Sequence, residues 1–70
     1  MSDFSNRLKQ IMRSRKISQS KICKATGIAQ STVSSYVCGV REPSVGNLIL
    51  IADYLDESID FLLGRDVLPE

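Results

Sequence analysis

The chain contains no histidine, and that one absence removes more chemistry than any other feature of its composition. A zinc site would have to be completed by acidic ligands, and the side chain most often used for acid–base work near neutral pH is missing. Only two cysteines occur, Cys23 and Cys38, fifteen residues apart and outside any CxxC spacing. That is a poor pattern for a metal centre, and nothing else points to an oxidising compartment in which a disulfide persists. Two buried or half-buried thiols are expected, with no metal and no cofactor. No nucleophile elbow and no phosphate-cradling glycine loop is present, and the ten serines are scattered over helix starts and one exposed stretch. The chain is therefore expected not to be an enzyme. No apolar run approaches the roughly 18 residues of a membrane span, and Met1-Ser2-Asp3-Phe4 lacks the basic-then-apolar order of a signal peptide. A cytoplasmic protein without a membrane partner is the expectation.

What is present is ordinary in amount and uneven in placement. Seventy residues make one domain with a small core, and 43% hydrophobic with 24% charged residues is the composition of a chain that folds. The net charge of +1 conceals a division. Residues 1–24 hold seven cations against Asp3, a balance of +6, whereas residues 25–70 hold Arg41 and Arg65 against seven acids, a balance of −5. One basic end suits a protein that presents a face to a polyanion, although a solvated basic helix would look the same.

Apolar spacing predicts five helices and leaves no room for a sheet. Phe4, Leu8, Ile11 and Met12 form one helical stripe, started by Ser2 or Asp3 and running to about Arg15. Ser18 caps a short helix Gln19 to Thr26, whose inward residues are Ile22 and Cys23 with Ala25 beside them, and Gly27 ends it. Ile28 plugs the corner. A third helix follows from Gln30 to about Val37, with Val33 inward and Tyr36 and Val37 beside it, closed by Gly39. After the loop Val40-Arg41-Glu42-Pro43, Ser44 caps a fourth helix reaching Tyr54 or Leu55, with Leu48, Ile51, Ala52 and Leu55 inward. Asp56-Glu57 turns, and Ser58 caps a last helix, Ile59 to Leu63, ended by Gly64. Residues 65–70 read as a tail or the start of a linker.

The second and third helices carry the specific signal. Cys23, a small residue, precedes Gly27 by four; Ile28 follows the glycine directly, Val33 stands six after it and Gly39 twelve after it. This spacing resembles the helix-turn-helix of the phage-repressor and Cro family, the xenobiotic-response-element (XRE) class. The resemblance continues through Arg41-Glu42-Pro43-Ser44, Leu48, Ile51-Ala52, Leu55 and Ser58 to Gly64, so that it covers roughly residues 4 to 64. It implies a compact all-α five-helix bundle of the lambda-repressor-like type over residues 1–64. It also implies a transcriptional regulator, most often a repressor, encoded by a bacterium or phage. Such a protein would bind double-stranded DNA as a homodimer on a pseudo-palindromic operator, with the helix at about 30–37 in the major groove.

Base contacts are then expected from Gln30, Ser31 and Thr32, with Ser34 and Ser35 one turn on. Glutamine can meet adenine in a two-bond fork, hydroxyls donate or accept, and the threonine methyl can touch thymine. Residues 29–38 carry no charge, so affinity for phosphate must come from elsewhere. The family pattern places Ser18 and Gln19 against the DNA backbone; Lys21, Cys38 and above all Arg41 complete the expected phosphate contacts, with Arg7, Lys9 and Arg13 as further sources of charge.

Three departures from the family are visible. Ala29 stands where relatives often cap the recognition helix with Ser or Thr. Met12 and Val37 occupy places where some relatives pair an arginine with a glutamate. Cys38 replaces a frequent asparagine, which weakens a phosphate contact or leaves a redox-sensitive thiol beside DNA. Phe61 is a candidate dimer contact. The competing reading is a protein-interaction module, an antitoxin-type adaptor whose Leu50, Tyr54 and Phe61 form a partner groove, with or without DNA binding. A further oligomerisation domain beyond Val67-Leu68-Pro69 is also compatible with the tail.

Overall fold

Ser18, Ser44 and Ser58 each hold extended backbone, and each hydroxyl accepts an N–H from three residues on: Lys21 at 3.2 Å, Asn47 at 3.2 Å and Phe61 at 3.0 Å. These bonds satisfy amides that have no partner inside their own helix, which is why a short polar side chain at that position starts one. In the computed structural model, which describes residues 3–65, they open three of five helices in chain order. The helices are α1 (Phe4–Arg15), α2 (Gln19–Thr26), α3 (Gln30–Val37), α4 (Val45–Leu55) and α5 (Ile59–Leu62), with no strand among the described residues. Ser2 and the tail at 66–70 lie outside the described residues. No helix is long and apolar enough, among the described residues, to cross a membrane.

The core follows the expected stripes. Phe4, Leu8 and Ile11 of α1 meet Ile22 of α2, Val33 of α3, and Leu48, Ile51 and Leu55 of α4, while Leu62 closes the end from α5. Met12 and Val37, where relatives place an ion pair, are apolar and pack half-buried against this core. Ala25, expected beside the inward residues of α2, is instead exposed, because the side of that short helix that meets its neighbours is formed by Gln19, Ile22, Cys23 and Thr26.

Helix ends supply two differences from the sequence reading. Asp3 does not cap α1 with its side chain; its backbone is helical, and its carbonyl takes the Arg7 amide at 2.9 Å. At the other end of α1 the chain leaves through Lys16 in the left-handed conformation, φ 56°, and α4 ends the same way at Asp56, φ 55°. Neither residue is the glycine that usually takes this role, so each turn carries backbone strain of about 1–2 kcal/mol. Arg15 binds the two ends together: its guanidinium donates to the Leu55 carbonyl and pairs with the Glu57 carboxylate. The carbonyl bond matters more, since it satisfies an otherwise unpartnered helix terminus, whereas an ion pair this exposed stabilises little.

Three substitutions separate these effects, each read from the urea midpoint at unchanged m-value. At Gly27, φ 77°, a β-carbon would meet no atom within 4 Å. Gly27→Ala is therefore expected to cost about 1–2 kcal/mol of conformational strain alone and to keep the fold. Lys16→Gly should gain about 0.5 kcal/mol, the strain removed less the entropy glycine adds to the unfolded chain. Ala29 sits at the start of α3 with extended backbone and no side-chain cap; Ala29→Ser is expected to stabilise by about 0.5–1 kcal/mol. A loss of stability in the last variant would mean that the position is closed to a capping hydroxyl.

Candidate nucleic-acid interface

The turn between α2 and α3 is fastened by one hydroxyl. Thr26 Oγ1 donates to the Ile22 carbonyl at 2.6 Å and accepts the Ile28 N–H at 3.3 Å, while the Gly27 N–H reaches the Cys23 carbonyl at 2.8 Å. Ile28 then buries its side chain at the corner, and α3 leaves at an angle set by both contacts. The sequence reading credited this corner to glycine and isoleucine; the threonine was missed because its role depends on two partners at different distances along the chain.

The roll of α3 about its own axis is set by Val33 and Tyr36. Val33 is fully buried and Tyr36 is 3% exposed. The Tyr36 ring meets Phe4 edge to face, with centroids 5.9 Å apart, and its hydroxyl oxygen accepts from Asn47 Nδ2 at 2.9 Å. Ser5 Oγ donates to the Val37 carbonyl at 2.9 Å, so α1 also holds the end of α3. With that side turned inward, Gln30 and Ser31 are exposed, and Thr32, Ser34 and Ser35 are half-buried. All five expected base-reading residues thus lie on one short uncharged helix, but not with equal freedom. The Ser35 hydroxyl already donates to the Thr32 carbonyl at 2.6 Å, which leaves its oxygen as an acceptor only.

Gln30 is the most defined of the set. Its Nε2 donates to Gln19 Oε1 at 3.2 Å, and its Oε1 accepts from Cys23 Sγ at 3.6 Å. A glutamine amide has two N–H donors and two carbonyl lone pairs. These two contacts use one of each. One donor and one acceptor therefore remain on an exposed side chain at the start of a helix.

The residues expected to grip phosphate fall into two places. Ser18, Gln19 and Lys21 cluster at the start of α2, where Ser18 Oγ is occupied by the Lys21 amide and the helix dipole favours an anion. Gln19 is held by Gln30, so it links this cluster to α3. Arg41 is exposed beyond the other end of α3 and shares a shallow recess with Ser31, Thr32 and Ser35. On its other side Arg41 borders a second recess with Cys38, Lys9, Asn6 and Glu42, which brings a cation from α1 to the same flank together with one carboxylate. Arg7 does not join them: its guanidinium lies over the Phe61 ring, 4.5 Å from the centroid, at the α5 end. Phe61 is half-buried under it. Among the described residues, no three cysteine or acidic side chains come together as metal ligands.

The helix-turn-helix family matches residues 8–62. Two HTH-type transcriptional regulators of Bacillus subtilis are similar: YqaE, 37% identical over 60 residues, and AnsR, 36% identical over 61. These alignments take in 86% and 87% of this chain but only 52% and 53% of the two relatives, so the chain spans about half the length of the curated relatives it matches. Among solved structures, a transcriptional regulator from Listeria innocua superimposes with a TM-score of 0.83 at 26% identity, covering 100% of this chain and 64% of that one. The P22 c2 repressor, solved in complex with a synthetic operator, superimposes with a TM-score of 0.81 at 27% identity, covering 90% of this chain and 96% of its own. Five helices arranged in this way, with the central turn intact, make the chain a non-enzymatic DNA-binding domain belonging to the helix-turn-helix family, of the phage-repressor and Cro (XRE) type.

Proposed function

We propose that the chain recognises one double-stranded operator sequence as a homodimer and represses transcription from it, with α3 lying in the major groove. The observation that carries this reading is the Gln30 amide, which keeps one N–H and one carbonyl lone pair for an outside partner. Adenine offers the complementary pair in the major groove, an acceptor at N7 and a donor at the N6 amino group. Ser31 and the methyl of Thr32 extend the reading surface, Ser34 and Ser35 follow one turn on, and Ser35 contributes as an acceptor.

Affinity is supplied from the flanks. The start of α2, with Ser18, Gln19 and Lys21, takes a phosphate on one side of the groove; Arg41 takes one on the other, with Lys9 and the weaker Cys38 beside it. The repressor role draws support from the likeness to the P22 c2 repressor, whose structure contains an operator. Dimer contacts are assigned to the acidic end of the molecule. There Leu50 and Tyr54 are one turn apart on α4 and stay 44% and 37% exposed, and Phe61 is only half-buried. Two-fold pairing there sets the recognition helices about one turn of DNA apart.

Selection of bound duplexes from a random pool tests the reading directly and is expected to return an inverted repeat with steeply salt-dependent affinity; no enrichment over competitor at low ionic strength would end it. On the selected operator, Gln30→Ala should reduce discrimination at one base-pair position by about 1–3 kcal/mol while nonspecific binding stays nearly unchanged. Arg41→Ala should instead weaken all sequences alike and flatten the dependence on salt by about one counterion per half-site. A base-specific loss from Arg41→Ala would move that residue from the phosphate set to the reading set.

A further inference from the structure

The hydrogen bond between Gln19 and Gln30 does not by itself decide how Gln30 faces a base pair. Carboxamide nitrogen and oxygen are nearly the same size, so both side chains can turn over together and re-form the bond with donor and acceptor exchanged. The two arrangements present opposite patterns to the groove. In one, the free N–H and the free lone pair of Gln30 stand in one order; in the other the order is reversed. A third group is needed to remove the degeneracy, and Cys23 is where one is found. Its Sγ lies 3.6 Å from Gln30 Oε1, on the side of the amide away from the Gln19 bond.

We infer that Cys23 is a positioning residue for base recognition: its thiol donates to Gln30 Oε1 and so fixes which way round the Gln30 amide meets DNA. The inference rests on the reading of Gln30 as a base-contacting residue. A thiol is a weak donor and a still poorer acceptor for an amide N–H. In the observed arrangement the S–H meets a carbonyl oxygen, and in the reversed one an N–H would meet sulfur. The first is therefore favoured. Cys23 is half-buried and packed against the core, so its sulfur holds a set position relative to α3. The order of donor and acceptor that results selects the orientation of the adenine-containing base pair as well as its identity. Small residues without a donor would leave Gln30 tethered to Gln19 but free to reverse.

The test uses the operator obtained by selection with the unmodified 70-residue chain. Dissociation constants for all four base pairs at the Gln30-dependent position are measured for the unmodified chain and for Gln30→Ala, Cys23→Ala and Cys23→Ser. Random-sequence DNA and the thermal midpoint serve as controls. Cys23→Ala is expected to lower the preference at that position about two- to five-fold, with the controls unchanged, and Cys23→Ser, whose hydroxyl accepts an N–H as well as it donates to a carbonyl, to leave that loss largely unrepaired. In 1H–15N spectra the two Gln30 Nε2 protons should be well separated in the unmodified chain and should move toward solvent-exposed glutamine values in Cys23→Ala. An unchanged preference in Cys23→Ala, where Gln30→Ala does flatten the position, overturns the role of Cys23 alone. A loss in Cys23→Ala spread equally over all sequences overturns it too, since that is what a packing defect produces. If Gln30→Ala alters no single position, the assignment of Gln30 to a base falls first, and the role of Cys23 falls with it.

Discussion

The seating of Val33 and Tyr36 in the core is the constraint on which the remainder of this molecule depends. A helix of eight residues has little stability of its own and no preferred roll about its axis. Burying Val33 and Tyr36 fixes that roll, and every outward residue of α3 then has its direction assigned. Three contacts hold the arrangement at its far end: the Phe4 ring against Tyr36, Asn47 on the Tyr36 hydroxyl, and Ser5 on the Val37 carbonyl. They come from α1 and α4, so the two longest helices serve chiefly to orient the shortest surface that matters. The polar contacts give more than stability here. An apolar side chain of similar size would fill the same space, but only a phenol whose oxygen has one donor beside it fixes the angle of the ring in its plane.

In the proposed mode of binding, reading and holding are separated in space, and the separation has an electrostatic logic. Charged side chains on α3 would attract any phosphate chain and raise affinity for all DNA together, whereas neutral amides and hydroxyls gain mainly from matched base edges. The cations stand at the borders instead, Lys21 at the start of α2 and Arg41 with Lys9 beyond the end of α3. The acidic half of the chain supplies α4 and α5, where Arg7 and Arg15 of the basic half also lie, over the Phe61 ring and on Glu57. The charge division seen in the sequence is thus only partly carried into the folded domain, since these two cations stand with the acids and Arg41 of the acidic half stands with Lys9.

Much of this was legible before any coordinates, because most of the helix boundaries are encoded locally. Serines with a free turn ahead of them, glycines after an apolar stripe and one Pro43 give starts and stops within a residue of those observed, Leu62 rather than Leu63 being the end of α5. The candidate reading residues Gln30, Ser31, Thr32, Ser34 and Ser35 were gathered onto α3 by the motif, and all five lie on that helix. What escaped were contacts between groups far apart in the chain or unremarkable in type. Arg15 looked like one of several solvated cations, and its bond to the Leu55 carbonyl joins residues forty apart. Cys23 looked like a small inward residue. Its tie to Gln30 depends on the angle between two helices, which periodicity does not contain. Lys16 and Asp56 in left-handed backbone were likewise hidden, since neither is the residue type that advertises such a turn.

The start of α3 shows how these levels combine. Ala29 gives no side-chain cap, so the first turn of the reading helix is held less firmly by its own chain than the first turns of α2, α4 and α5. Yet that turn carries Gln30, the side chain with the most defined surroundings on the interface. The order there comes from α2, through Gln19 on one side of the amide and Cys23 on the other. A capping hydroxyl at position 29 would stabilise the backbone without affecting which way the amide faces; the two partners on α2 fix the amide while leaving the backbone cap unmade. Helix stability and the facing of the amide are thus adjusted by different residues: burial of Val33 and Tyr36 directs α3 as a whole, and the bonds across the turn from Gln19 and Cys23 set how the Gln30 amide faces.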